Sequence, residues 1–105
     1  MHIEKNNKQI KIKYCVNFFS RLKGFMGKKN ISYGIIFPRC NSIHTCFMKE
    51  AIDVLMCDKD YKILYIYTNL KKNKFILPKK RVYYTIELPV NFFTYSIGEN
   101  VFIKK

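Results

Sequence analysis

The residues able to do chemistry crowd into one stretch, Cys40 to Asp58 (CNSIHTCFMKEAIDVLMCD). It carries one of the chain's two histidines, three of its four cysteines and two of its four methionines. If Ile43 to Met48 is extended, the two-residue period of a strand places His44, Cys46 and Met48 on one face. Imidazole, thiol and thioether together are soft donors of the kind that favour copper(I) or zinc, and Cys40 adds another; Cys40, His44 and Cys46 are the metal candidates. The same His44 and Cys46 are the raw material of a cysteine nucleophile, which needs a base close enough to generate thiolate. No oxyanion hole and no third orienting residue is marked in the sequence. The competing structural reading has His44 hydrogen-bonded at a strand end and the thiols packed inside.

Two acids stand in apolar surroundings. Asp53 lies among Ala51, Ile52, Val54 and Leu55, and Glu87 lies between Ile86 and Leu88. An acid in such a strand either faces water or is buried and must be paired or protonated. With only three arginines in the chain, Arg21 is the expected partner for one of them, as a pair that fixes register. Two carboxyls could divide acid and base roles, but sequence alone gives no separation between them.

The surrounding elements follow from apolar periodicity. Met1 to Lys5 and Lys8 to Val16 form a hairpin across Asn6-Asn7, with Ile10, Ile12 and Tyr14 alternating with lysines. Asn17 is placed to cap a short helix with Phe18, Leu22 and Phe25 on its buried face, ended by Gly24 and Gly27. Gly34 to Pro38 reads as an inner strand. Ala51 to Cys57 and Lys62 to Thr68 form the clearest hairpin, and Val82 to Leu88 is a further strand ended by Pro89. Asn91 caps a second helical turn over Phe92, Phe93 and Tyr95, and Val101 to Ile103 closes the sheet. The expected fold is mainly β with minor α: a compact, single-domain antiparallel β-barrel or sandwich over residues 1–105, with two short helices.

Composition bounds the function. Of 105 residues, 49% are hydrophobic and 16% aromatic, a packed globule and not a disordered chain. The net charge of +13 attracts polyanions, and Lys71, Lys72, Lys74, Lys79, Lys80 and Arg81 form two basic clusters suited to nucleic acid. Against that, lysine is abundant throughout, and base and phosphate readers rely on arginine. No stretch reaches the roughly 18 apolar residues of a membrane helix. The opening MHIEKNNKQIKIK lacks the apolar core of a signal peptide. With cysteines in no regular framework, a cytoplasmic protein with reduced thiols is expected. No phosphate loop, serine nucleophile elbow or paired-cysteine zinc knuckle is present.

Three stretches, in order, resemble domain-of-unknown-function family 192 of bacteria and archaea. They are RLKGFM with GIIFP; Cys40 through Asp58, especially IHTCFMKEAIDV; and IELP followed by Ile97-Gly98, a likeness running from about residue 8 to 103. The family's recurring positions fall here on Arg21, Gly24, Met26, Gly34, Phe37, His44, Thr45, Met48, Asp53, Glu87, Leu88 and Pro89. Two departures stand out: Glu50-Ala51 replaces a residue pair ending in proline, and Tyr61 stands where the hairpin turn usually carries glycine. The resemblance implies a compact fold of antiparallel strands and short helices and supplies no activity, cofactor or metal. The expectation is a monomeric binding or accessory module. Its candidate pocket is Arg21, His44, Thr45, Met48, Asp53 and Glu87, its partner a small ligand or protein segment. The alternatives are an enzyme or soft-metal site built on His44 with Cys46 or Asp53, and lysine-mediated polyanion binding.

Overall fold

The computed structural model describes residues 1–16 and 24–105. In chain order the strands are β1 (His2–Lys5), β2 (Lys8–Tyr14), β3 (Gly34–Pro38), β4 (Ile43–His44), β5 (Ile52–Cys57), β6 (Ile63–Leu70), β7 (Phe75–Ile76), β8 (Tyr84–Pro89) and β9 (Ile103–Lys104). Seven of them form one sheet in the order β6-β5-β8-β3-β2-β1-β9, and β4 pairs with β7 as a separate ribbon. The expected hairpins are present. Asn6 and Asn7, at φ 51° and 65°, make the left-handed two-residue turn that matches strand twist between β1 and β2.

The architecture departs from the expected barrel or sandwich in three respects. The sheet does not close: β6 and β9 are its two ends, and an isolated bridge from Lys62 to Asn100 is what reaches the start of β6. One pair, β2 with β3, is parallel, because residues 15–33 are long enough to cross over. There is also no helix among the described residues. The helix expected after Asn17 falls on undescribed residues, except its far end, where residues 24–27 form a turn. The second expected helix fails at its cap. Asn91 has φ 63°, whereas a helix cap takes an extended conformation, and its N–H is held by Asp53.

The centre of the sheet explains the site. Strands β3 and β5 are buried at every position, so their side chains divide between two cores on opposite faces. One core contains Ile3, Ile10, Ile12, Ile36, Leu55, Ile86 and Leu88; the other contains Phe25, Ile35, Phe37, Met48, Ile52, Val54 and Met56. Gly34 leaves room for the first of these cores to pack closely over β3. A Cβ there would lie 2.6 Å from Ile12 Cδ1 and 2.8 Å from Leu88 Cδ2.

Asp53 is part of this scaffold. Its Oδ1 accepts from Asn69 N at 2.8 Å and its Oδ2 from Asn91 N at 3.0 Å. Both asparagines are left-handed, at φ 53° and 63°, so one carboxylate fixes the β-bulge near the end of β6 and the turn that follows β8. Replacing Asp53 by Ala is expected to destabilise the fold by about 3 kcal/mol, since two N–H groups lose a carboxylate acceptor. Urea denaturation measures it, and a loss under about 0.5 kcal/mol, the range of an ordinary surface substitution, would show that the loops hold without the clamp.

Candidate functional site

Alternation along β8 decides which acid meets the site. In the antiparallel register Glu87 lies opposite Val54 on one side and Ile35 on the other, whereas Asp53 lies opposite Leu88. Directly opposed residues share a face, so Glu87 projects on the Phe25–Phe37 side and Asp53 on the Ile86–Leu88 side. The two acids therefore cannot divide proton-transfer roles at one centre. They have different surroundings: a hydrogen-bonded clamp for one, an apolar wall for the other.

On the Glu87 face a cavity of about 420 Å³ opens between the sheet and the β4–β7 ribbon, in the range of small-molecule sites. Phe25, Phe37, Met48 and Ile76 give it apolar walls, Cys40, His44 and Cys46 add soft polar atoms, and Glu87 supplies a carboxyl. Glu87 is 5% exposed, and its Oε1 is buried with no hydrogen-bond partner among the described residues. Desolvation pushes its pKa up to about 8, far above the ordinary carboxylate range. The carboxyl sits beside Gly24, where a Cβ would come within 3.3 Å of Oε1 and 3.5 Å of Phe37 Cζ. Gly24 also has φ 46°, so both its conformation and its lack of a side chain make room for this acid.

The central stretch is not one extended run. Strand β4 ends at His44, and Phe47 turns the chain at φ 64°. His44, Cys46 and Met48 nevertheless all line the cavity, brought together by the turn and not by strand alternation. The backbone N–H of Cys46 donates to His44 Nδ1 at 3.2 Å, which leaves Nε2 to carry the ring proton. The His44–Cys46 contact therefore runs through the peptide, and no hydrogen bond joins the Cys46 thiol to the ring among the described residues. Cys40 Sγ donates instead to Ser42 O at 3.2 Å. Among the described residues no group of three His, Cys, Asp or Glu side chains is placed to hold a metal ion.

Thr45 faces away from the cavity. Fully buried, it donates to Lys71 O at 2.6 Å and accepts from Lys74 N at 2.8 Å, tying the lysine-rich loop to β4. Thus His44, Met48 and Glu87 of the candidate pocket are brought together, while Thr45 holds a loop and Asp53 holds the bulge in β6 and the turn after β8. Arg21 lies outside the described residues, as does any pairing it makes. Lys71, Lys72, Lys74, Lys80 and Arg81 are exposed and Lys79 half-buried, in the two loops flanking β7. Sequence reasoning missed Gly24, Phe25 and Phe37 as cavity walls. The RLKGFM and GIIFP stretches contained them, but the β3–β8 register is what puts Phe37 on the face of Glu87, where Gly24 and Phe25 pack from a segment distant in the chain. The other two thiols are core groups: burial pushes Cys57 up to about 12 and raises Cys15.

A sequence profile of the family "Uncharacterized ACR", domain-of-unknown-function family 192, matches residues 1–101. Among curated relatives, a UPF0127 protein of Thermococcus sibiricus is 32% identical over 103 residues, covering 87% of this chain and 64% of the relative. A UPF0127 protein of Thermococcus kodakarensis is 36% identical over 86 residues, covering 76% of this chain and 54% of the relative. The chain thus spans under two thirds of the length of these two archaeal proteins. Among solved structures, a protein of unknown function from Novosphingobium aromaticivorans aligns with a TM-score of 0.71 at 12% identity, covering 86% of this chain and 71% of that one. One from Sinorhizobium meliloti, named for a proposed role as a transcription regulator, also aligns at 0.71, with 18% identity and 85% and 78% coverage. At these identities the structures establish a shared fold. No helix among the described residues is long and apolar enough to cross a membrane.

The buried acid ties stability to pH. With a folded pKa raised to about 8, Glu87 holds its proton more tightly in the folded chain than in the unfolded one. Its contribution is therefore fully present below the ordinary carboxylate range and is lost as pH rises towards 8, at up to about 1.4 kcal/mol per pH unit. Glu87→Gln is expected to remove that slope, gaining on the wild type most at pH 8 and least near pH 4.5. Denaturation midpoints across that range decide it; parallel pH profiles for the two proteins would contradict the buried, protonated acid.

Proposed function

The chain belongs to domain-of-unknown-function family 192, and we propose that it is a small ligand-binding module whose binding site is the Glu87 cavity. The observation that carries this reading is the Oε1 atom of Glu87, buried at the wall of an open cavity without a hydrogen-bond partner among the described residues. An unsatisfied buried polar atom is destabilising by about 1–3 kcal/mol, and a ligand that completes its hydrogen bond recovers that energy on binding. The apolar walls supply contact area, and His44 is a second polar residue lining the cavity. Thr45 serves the site indirectly by fixing the loop that leads into β7, and Asp53 serves the scaffold on the opposite face. With two thiols on the cavity wall, a reducing, cytoplasmic setting is part of the proposal.

Lysine-mediated polyanion binding is the contrasting expectation, and one experiment separates the two. Amide chemical shifts of the reduced protein are followed while a mixture of small aromatic and aliphatic fragments is added, then while a single-stranded oligonucleotide is added. The module reading predicts saturable fragment shifts at Gly24, Ile43, His44 and Ile76 that persist at high salt. Shifts confined to the loops of Lys71 to Lys74 and Lys79 to Arg81, produced only by the oligonucleotide and abolished by salt, would replace it with polyanion binding.

A further inference from the structure

The cavity wall carries a specific chemical preference, and this inference rests on the ligand-binding reading above. The chain has 20 lysines and arginines, yet none lines the cavity among the described residues. The one acid that does line it is Glu87, 5% exposed and with Oε1 unpartnered among the described residues. Around the same cavity, Phe25, Phe37 and Phe75 offer aromatic surface, and Met48 offers a polarisable thioether. A carboxyl that shares a cavity wall with aromatic rings, and with no lysine or arginine on that wall among the described residues, is complementary to a positively charged nitrogen with an apolar substituent. A neutral donor would satisfy the oxygen but would gain nothing from its charge or from the ring faces. Elsewhere the +13 surface repels cations, so uptake of one is an attribute of this site and not of the surface at large.

We propose that the cavity selects a small organic amine in its ammonium form, with the nitrogen at Glu87 and the apolar body against Phe25, Phe37 and Met48. The ammonium binds the ionised carboxylate, so an empty site that holds a proton on Glu87 must release it. Binding R–NH3⁺ then liberates that proton to solvent, and no covalent bond changes. The titratable groups around Glu87 are Cys15, Cys40, His44 and Cys46; its strand neighbours Ile35 and Val54 are apolar, Gly24 has no side chain, and Arg21 lies outside the described residues. A carboxyl titrating at about 8 sets the pH signature.

Phenethylammonium and its neutral isostere 2-phenylethanol are the probes, with dissociation constants measured on the reduced full chain at pH 6.5 and 8.5. Phenethylammonium is expected to bind roughly 25-fold more tightly at pH 8.5 than at 6.5, following the fraction of ionised Glu87, while 2-phenylethanol shows no such change. At pH 8.5 the amine is expected to bind at least about tenfold more tightly than the alcohol, as a charge-assisted contact requires. Glu87→Gln is expected to abolish both the preference and the slope; the wild-type slope is an independent readout should that variant not fold. Equal binding of amine and alcohol, or an amine affinity flat with pH, overturns the amine assignment and leaves the binding module standing. Failure of both probes to bind overturns the amine assignment, and the fragment shifts at Gly24 and His44 then decide whether the cavity binds anything.

Discussion

Burying an ionised carboxylate without a compensating charge is so unfavourable that the group takes up a proton instead. Strand β8 commits this chain to burying a carboxyl, because Ile86 and Leu88 belong to one core and alternation sends Glu87 into the other. The β3–β8–β5 centre is covered on both faces, so no residue on β8 can move to water without sliding the register and inverting every neighbour. The fold accommodates the acid locally. Gly24 leaves space for the carboxyl, burial keeps the proton on it, and the β4–β7 ribbon leaves a cavity on its side of the sheet. The cavity is thus a consequence of where β8 places an acid in a sheet that has no spare face.

The same alternation separates two acids that look alike in sequence. Asp53 and Glu87 each sit within an apolar run, yet Asp53 accepts two backbone N–H groups and Glu87 Oε1 accepts none among the described residues. Their difference arises from neighbours distant in the chain: the left-handed Asn69 and Asn91 for one, Gly24 and Phe37 for the other. Structural and functional roles are divided in the same way on the central stretch. Thr45 is consumed by the loop from Lys71 to Lys74, while His44 and Met48 beside it face the cavity.

Much of the scaffold was legible in the sequence for local reasons. The Asn6-Asn7 turn, the apolar GIIFP run and the β5–β6 hairpin are set by residues close together in the chain, and each appears where the pattern put it. Tyr61 takes φ 60° in the β5–β6 turn, and its ring stacks on Tyr84 at 4.0 Å between centroids. What local pattern does not contain is register. Whether Asp53 or Glu87 shares a face with His44 depends on β5 and β8 pairing with one another, which no run of neighbours encodes. The parallel β2–β3 pair was hidden for a related reason, since the pattern of residues 15–33 does not say whether the chain returns parallel or antiparallel to β2. The second helix was misread because asparagine both caps helices and adopts left-handed turns, and at Asn91 the hydrogen bond to Asp53 selects the turn.

The claim on which the site depends is that Glu87 is dry and keeps its proton near neutrality. The most direct measurement is a pH titration of its side-chain carboxyl carbon by NMR on the wild-type chain, assigned with Glu87→Gln. The structure predicts a midpoint near 8, with the proton still held at pH 7. A midpoint in the ordinary carboxylate range, near 4.5, would mean that the carboxyl is solvated or already paired, and would contradict an unpartnered acid waiting in the cavity.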